Sequence, residues 1–144
     1  MPSSTTSSES RPGPDLEQTR VLIVDDHQAM LARAAAALAT TCVIVGQVQD
    51  GDDALMAAAT LQPDVIVLDI SMPGMSGLEV AARLRIAGST AAIVFLTVHN
   101  DAEVVEAALA AGGSGYVIKA RLASDLVLAV REARARRTFV SVLN

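Results

Sequence analysis

Carboxylate, hydroxyl and lysine side chains close successive short apolar runs of this sequence. Asp25 and Asp26 close the first run, Asp69 closes a later one, Thr97 closes the next, and Lys119 follows the last. Carboxylates gathered in one crevice raise one another's pKa unless a cation lies between them. Mg²⁺ prefers oxygen ligands in octahedral geometry, so these acids predict a magnesium site. A carboxylate beside such an ion, a hydroxyl and an ammonium group is able to accept a phosphoryl group.

The elements that position these side chains follow from the alternation of β-branched runs with alanine-rich segments of helical length. Strands are predicted over residues 21–25, 43–48, 65–69, 92–97 and 115–118. Helices are predicted over residues 28–40, 52–61, 77–87, 102–111 and 122–136. Asp101 and Ser124 are candidate N-caps, and Gly88 and Gly112 are candidate C-caps.

The predicted strands are mostly continuously apolar, as expected for parallel strands that are covered on both faces. Short connections favour right-handed crossovers and therefore a doubly wound α/β fold, with a five-stranded parallel sheet and helices on both faces. In such a sheet, functional groups collect beyond the carboxyl ends of the strands. The acids, the threonine and the lysine are therefore expected to meet in one crevice.

The composition excludes several classes of protein. The chain has 144 residues, of which 51% are hydrophobic and 19% charged, and this predicts one domain with a sizeable core. No apolar run is long enough for a membrane span or a signal peptide, so we expect a cytoplasmic protein with no membrane partner. Aromatic residues make up 2% and tryptophan is absent, which leaves no stacking platform for bases or sugars.

The net charge of −5 is unevenly distributed. Residues 119–137 contain six basic and two acidic side chains, so the remainder of the chain carries a net charge of −9. Phosphate contact requires net positive charge, and most of the domain is therefore not expected to bind nucleic acid.

The two ends of the chain differ from its middle. Residues 1–19 are rich in serine and proline and have almost no apolar side chain to bury, so a disordered N-terminal tail is predicted. Residues 20–137 contain all of the predicted βα units and form the predicted domain. Residues 138–144 are interpreted as the start of a linker or as a C-terminal tail.

Four segments together resemble the response-regulator receiver domain of two-component signalling. They are residues 22–27 (LIVDDH), 64–77 (DVIVLDISMPGMSG), 96–97 (LT) and 115–119 (GYVIK). The resemblance covers about residues 20–137 and implies the flavodoxin-like (βα)5 receiver fold. The sequences of residues 77–80, 96–100 and 110–120 are similar to those of the receivers in LuxR/NarL-type transcription regulators.

The resemblance implies a magnesium site built from four residues. Asp26 and Asp69 are its carboxylate ligands, Asp25 acts through water, and the backbone carbonyl of Ser71 completes the protein's contribution. Considered without the resemblance, Asp25 and Asp26 are also consistent with capping of the helix that follows them.

The resemblance also implies that Asp69 accepts a phosphoryl group from a sensor histidine kinase in a Mg²⁺-dependent transfer. Thr97 and Lys119 contact the phosphoryl oxygens, and Tyr116 acts as a switch whose rotamer follows the Thr97 hydroxyl. We expect the domain not to be an enzyme that turns over a separate substrate. The one hydrolysis expected of it is that of its own acyl phosphate on Asp69. Considered alone, Tyr116 is more typical of a packing residue than of a switch, and its position three residues before Lys119 makes the two interpretations equally consistent.

The implied partners are a sensor histidine kinase and a second copy of the chain, as a homodimer on activation. DNA is contacted only through a C-terminal helix-turn-helix domain that this chain does not contain. Residues 138–142 resemble the start of the linker to such a domain, so we expect the sequence to be part of a longer protein.

Two positions depart from the family pattern. Ala120 follows the lysine where many receivers have proline, so a cis bond there costs about 2.5–4 kcal/mol and a trans, more mobile loop is expected. Val98 stands where a small residue often follows the threonine, and its branched side chain narrows access to the phosphoryl group. Slower phosphorylation or slower hydrolysis is expected as a result.

Other functions fit part of the pattern. A phosphatase with an aspartyl nucleophile needs a second aspartate two residues later, where this sequence has Ser71. A stand-alone receiver, or a receiver that works as a docking module without phosphorylation, would have the same crevice.

Several polar residues are expected to lie outside the functional crevice. His27 and His99 have no cysteine or second histidine at ligand spacing, so partly exposed loop positions are expected and a zinc site is not. Cys42, the single cysteine, cannot form an internal disulfide and is expected to pack as a small hydrophobe. The arginines of residues 131–137 are expected to form a solvated helix face.

Overall fold

The computed structural model describes residues 16–98 and 101–142. The strands in these ranges are β1 (Arg20–Val24), β2 (Val43–Val48), β3 (Val65–Asp69), β4 (Ala92–Thr97), β5 (Gly115–Ile118) and β6 (Phe139–Val140). The helices are α1 (Gln28–Leu38), α2 (Gly51–Leu61), α3 (Gly77–Ile86), α4 (Ala102–Ala110) and α5 (Leu122–Arg134). Short 3-10 turns lie at Leu16–Gln18 and Lys119–Arg121. Strands β1–β5 therefore confirm the predicted strands to within one residue at each end.

All strands pair in parallel, in the order β2-β1-β3-β4-β5-β6. Helices α1 and α5 pack against one face of the sheet, and α2, α3 and α4 pack against the other. The α/β fold is doubly wound, as predicted. The direction of winding reverses between β1 and β3, and this reversal opens a crevice at the carboxyl ends of those two strands.

The core consists of fully buried strand residues covered by leucine and alanine side chains of the helices. Because alanine is small, the helices of this alanine-rich chain lie close to the sheet and still exclude water. The buried alanines are Ala34, Ala54, Ala58, Ala81, Ala91, Ala108, Ala129 and Ala133. Cys42 is buried among the residues that pack under α1 and α5, which confirms its predicted role in packing.

Strand β6 is a sixth strand where five were predicted, and it lies within residues 138–144, which are interpreted from the sequence as the start of a linker or as a C-terminal tail. Phe139 pairs with Gly115 and Val140 pairs with Tyr116, so this segment extends the sheet beyond β5. Next along the chain, Ser141 is buried, and its backbone amide donates a 2.8 Å hydrogen bond to the Tyr116 carbonyl. Residues 139–141 therefore belong to the packed domain.

The Ser141 hydroxyl ties β6 to the start of α5. It donates a 2.7 Å hydrogen bond to Asp125 Oδ2 and accepts one of 3.1 Å from the backbone amide of Ile118. Arg121 also contacts the buried Asp125 carboxylate, with Nε 2.9 Å from Oδ2. Burial raises the pKa of Asp125, but its hydrogen bonds to Arg121, Ser141 and Ser124 outweigh burial, so the pKa lies below its ordinary value.

The N-terminal boundary of the domain also differs from the predicted one. Leu16–Gln18 form a 3-10 turn in which Leu16 is buried, and Thr19 is buried as well. Residues 16–19 therefore pack against the domain, whereas the predicted tail included them. The rest of that predicted tail, residues 1–15, lies outside the described residues, as does His99.

The helix ends agree with most of the predicted capping residues. Gly88 and Gly112, which follow α3 and α4, have φ values of +90° and +96°, a region that favours glycine. Asp101 precedes α4 as predicted but makes no side-chain cap hydrogen bond. Ser124 lies inside α5 and its hydroxyl donates to the Arg121 carbonyl, so its prediction as an N-cap is wrong.

The backbone has two further features of note. No peptide bond within the described ranges is cis, so the bond after Lys119 is trans, as Ala120 predicts. No helix in those ranges is long and apolar enough to cross a bilayer.

Candidate functional site

Parallel register brings the predicted functional residues to one edge of the sheet. Val24 of β1 pairs with Leu68 of β3, so Asp25 and Asp69 are the next residues of neighbouring strands. On the other side, Asp69 pairs with Leu96 of β4, and Thr97 follows directly. This register places three of the predicted residues around the carboxyl end of β3.

Lys119 joins two of these carboxylates. Its Nζ lies 3.0 Å from Asp25 Oδ2 and 3.2 Å from Asp69 Oδ1. Asp25 has no exposed surface and Asp69 is 1% exposed, so the ion pairs are shielded from solvent. Burial alone lowers the pKa of Lys119, but its hydrogen bond to Asp25 and the charge of Asp69 outweigh burial and raise that pKa. The lysine is therefore firmly cationic.

Asp69 is a buried carboxylate whose surroundings disfavour its ionised form. Burial and the charge of Asp25 raise the pKa of the Asp69 carboxyl to about 6, and the Lys119 ammonium opposes this shift. Asp69 Oδ1 accepts a 3.2 Å hydrogen bond from the backbone amide of Ser71. Asp69 Oδ2 is buried and has no hydrogen-bond partner among the described residues. This oxygen is available for a cation or for bond formation.

Asp26 and His27 extend the site toward solvent. The Asp26 side chain is 22% exposed and that of His27 is 71% exposed. His27 Nδ1 lies 3.2 Å from Asp26 Oδ1 and 3.5 Å from Asp25 Oδ1. The predicted exposed position of His27 is correct, but its contact with the acidic residues was not predicted.

The donor set of this crevice fits a divalent cation. Asp25, Asp26, His27 and Asp69 each present one ligand atom, and these atoms lie within 4.8 Å of one another. Carboxylate oxygens are the ligands that Mg²⁺ prefers, and the unpartnered Asp69 Oδ2 is one of them. The backbone amide of Ser71 contacts Asp69 Oδ1, and the contribution of the Ser71 carbonyl to the cation site stays a prediction.

Thr97 and Tyr116 form a separate pair behind the acidic residues. Both are buried, with 1% and 0% of their surface exposed. Burial raises the pKa of the Tyr116 phenol, and a hydrogen bond with the Thr97 side chain opposes this effect. The pair links the end of β4 to the middle of β5. Val98, the next residue after Thr97, is 65% exposed.

Gly77 allows the start of α3 to pack directly against the backbone of Asp69. The amide of Gly77, the first residue of α3, donates a 2.8 Å hydrogen bond to the Ile70 carbonyl. A side chain at Gly77 would overlap the backbone carbonyl of Asp69. Only glycine allows α3 to begin this close to the end of β3.

A doubly wound parallel sheet that holds three acids, a threonine and a lysine at its reversal point defines the class of receiver domains. The family model for the response regulator receiver domain matches residues 21–131, and the chain belongs to this family. It is the receiver domain of a two-component response regulator.

Related proteins agree with this assignment. The chain is 34% identical to the nitrate/nitrite response regulator NarL of Escherichia coli over 127 residues, which are 87% of this chain and 59% of NarL. It is 32% identical to the response regulator GacA of Pseudomonas aeruginosa over 124 residues, 85% of this chain and 58% of GacA. The chain thus spans somewhat more than half the length of these relatives.

Solved structures have the same fold. The signal receiver domain of NarL from Mycobacterium tuberculosis superposes with a TM-score of 0.71 at 30% identity, over 79% of this chain and 98% of that chain. A LuxR-family two-component response regulator from Aurantimonas superposes with a TM-score of 0.77 at 28% identity, over 85% of this chain and 89% of that chain.

Proposed function

We propose that Asp69 accepts a phosphoryl group from the phosphohistidine of a sensor histidine kinase. The observation that carries this proposal is the position of the Asp69 carboxylate. One of its oxygens contacts Lys119, and the other is buried without a partner among the described residues. With a pKa of about 6, the carboxylate is predominantly ionised at pH 7 and is able to act as a nucleophile.

In the proposed step, an Asp69 oxygen forms a bond to phosphorus while the bond from phosphorus to the kinase histidine nitrogen breaks. The products are an acyl phosphate on Asp69 and a histidine side chain that takes up a proton. The Lys119 ammonium neutralises charge on the phosphoryl oxygens, and the Thr97 hydroxyl donates a hydrogen bond to one of them. Apart from hydrolysis of this acyl phosphate, the domain turns over no separate substrate.

The residues suited to hold Mg²⁺ are Asp26, Asp69 and the backbone carbonyl of Ser71, with Asp25 acting through water. When bound, the ion supplies positive charge to the oxygens of the transferred phosphoryl group. The chemistry of the donor set supports this assignment, because three carboxylates share one crevice with a single ammonium group.

We infer that the phosphorylated state is read through Thr97 and Tyr116. Movement of the Thr97 hydroxyl toward the phosphoryl group breaks or weakens its hydrogen bond with Tyr116, and this changes the surface formed by α4, β5 and α5. The output is a cytoplasmic homodimer that regulates transcription through a helix-turn-helix domain outside this chain. The likeness to the longer response regulators NarL and GacA, and to a LuxR-family response regulator of similar length, supports this output.

Phosphorylation is tested by incubating the protein with a small phosphodonor and Mg²⁺ and measuring its intact mass. One phosphoryl group is expected on the wild-type protein and none on Asp69→Asn. Asp52→Asn, which removes an exposed carboxylate of α2, is the matched control and should be labelled like the wild type. Undiminished labelling of Asp69→Asn contradicts the assignment, and an unlabelled wild type favours the phosphorylation-independent docking module.

The cation site is tested by calorimetric titration with Mg²⁺. Asp26→Ala removes a charged ligand that water replaces poorly, so Mg²⁺ should bind more weakly while the fold is retained. If Asp26→Ala bound Mg²⁺ as tightly as Asp52→Asn, the ligand assignment would be wrong.

The switch is tested with Thr97→Ala, which should weaken the response and leave labelling of Asp69 largely intact. The response is the dimer fraction, or the amide shifts of residues 102–136, with and without a phosphoryl mimic. Equal responses of the wild type and Thr97→Ala would show that the signal does not pass through this hydroxyl.

A further inference from the structure

His27 is held against the acidic crevice by its own backbone. It precedes α1 in an extended conformation, with φ −105° and ψ 119°, and its side chain makes no capping hydrogen bond to that helix. Its backbone amide donates a 2.9 Å hydrogen bond to Asp25 Oδ1. The imidazole therefore lies over the acids, with Nδ1 3.2 Å from Asp26 Oδ1.

The spacing of these atoms suits shared coordination of one ion. Ligand atoms bound to one ion at about 2.1 Å are separated from each other by roughly 3–4 Å. The available atoms of Asp25, Asp26, His27 and Asp69 lie within 4.8 Å of one another, so small rotations bring them to that spacing. Asp69 Oδ2, buried and unpartnered among the described residues, lies in this set. The side chains of His27 and Asp26 are the members of this set that reach solvent.

The nature of the added ligand determines which ions gain from it. Mg²⁺ is a hard cation that binds oxygen ligands and gains little from an imidazole nitrogen. Zn²⁺ and similar transition-metal ions bind imidazole well, and a set of one histidine with carboxylates suits them. His27 thus changes the relative affinity of the crevice for two classes of cation.

We propose that His27 is a further ligand of this cation site, and that it enables Zn²⁺ or a similar transition-metal ion to compete with Mg²⁺. This inference rests on the proposed function only in placing the cation among Asp25, Asp26 and Asp69. A transition-metal ion bound there displaces the Mg²⁺ that the proposed phosphoryl transfer uses, so the relative availability of the two ions regulates the domain.

The test is calorimetric titration of the full chain at pH 7 with Mg²⁺ alone and with Zn²⁺ alone. His27→Gln should weaken Zn²⁺ binding by about tenfold or more. The same variant should change Mg²⁺ binding by less than about threefold, because Mg²⁺ gains little from imidazole. Asp52→Asn, which removes an exposed carboxylate of α2, is the matched control and should leave the binding of both ions unaffected.

Two further measurements locate the ion. Zn²⁺ should shift the imidazole NMR resonances of His27, which are identified by their absence from the spectrum of His27→Gln. Excess Mg²⁺ should displace the Zn²⁺ and reverse these shifts. The proposal is overturned if Zn²⁺ affinity is unchanged in His27→Gln, or if Mg²⁺ does not compete. Asp26→Ala separates this proposal from the proposed function. If Asp26→Ala loses Mg²⁺ binding while His27→Gln binds Zn²⁺ like the wild type, the proposed function stands and the role of His27 is refuted. If the binding of Mg²⁺ and of Zn²⁺ is unchanged in both Asp26→Ala and His27→Gln, the proposed cation site and the role of His27 are both refuted.

Discussion

Replacing Asp69 with asparagine is expected to stabilise the fold when no divalent ion is bound. The carboxylate is buried beside Asp25, and its folded-state pKa of about 6 lies above its ordinary value of 3.8. The folded protein therefore binds more protons than the unfolded chain between these two pH values, and stability falls as pH rises through this window. Asparagine has a similar shape and no charge to bury, so the variant does not have this loss.

The magnitude follows from the size of the shift. A difference of about 2 pKa units, at 1.36 kcal/mol per unit, corresponds to at most about 3 kcal/mol in the free energy of unfolding. The shift already includes the opposing effect of Lys119, so the lost ion pair is not subtracted again. For a domain of this size the gain corresponds to roughly 10 °C in Tm. It should be complete at pH 8 and nearly absent at pH 4.

The assay is urea unfolding of wild type and variant in a chelator, at several pH values from 4 to 8. Glu106→Gln removes an exposed charge from α4 and serves as the control, with a small effect at every pH. Adding Mg²⁺ should stabilise the wild type more than Asp69→Asn, because binding to the folded state adds to its stability. A variant that is no more stable than the wild type at pH 8, or a gain independent of pH, would refute the reasoning.

Three further predictions concern other contacts. Gly77→Ala should destabilise the domain by about 1–3 kcal/mol and reduce labelling of Asp69, because the methyl group overlaps its carbonyl; urea unfolding and intact mass measure these effects. Ser141→Ala should cost about 1–3 kcal/mol, since the buried Asp125 loses a hydrogen-bond donor, and an unchanged urea midpoint would contradict this. Lys119→Met should raise the pKa of Asp69 above about 6, measured by carbon NMR of the carboxyl group, because the ammonium lowers it; an unchanged pKa would contradict the ion pair.

Strands β1, β3, β4 and β5 can be predicted from the sequence because each is a short apolar run that is buried on both faces, and β2, a half-exposed edge strand, is indicated by its β-branched residues. Strand β6 cannot be predicted in this way, because its two residues are defined by pairing with β5 and by the buried hydrogen bonds of Ser141. The burial of Leu16 cannot be predicted from the sequence either, since one apolar residue in a polar segment does not indicate what it packs against. Ser124 is not an N-cap because the 3-10 turn before α5 leads directly into the helix, so that Arg121, three residues before Ser124, occupies the cap position.

The placement of the acids at one edge also follows from the sequence. Parallel strands end at the same edge, so the acids at the ends of β1 and β3 share that edge, and the pairing of these two strands makes them neighbours. Lys119 after β5 has the length to reach them. The position of the His27 ring could not be predicted, because it depends on the hydrogen bond from its amide to Asp25. A search for cysteine and histidine spacing does not detect a site whose other ligands are carboxylates.

The parallel direction of β6 determines where the chain leaves the domain. Because β6 runs alongside β5, Val142 emerges at the same edge of the sheet as the acidic crevice, close to the level of Lys119. Any segment joined after Val142 is therefore on a very short tether to that edge, and its effective concentration there reaches the millimolar range. Weak contacts between such a segment and the crevice would be populated without high intrinsic affinity, and a small change at the crevice would be enough to release them.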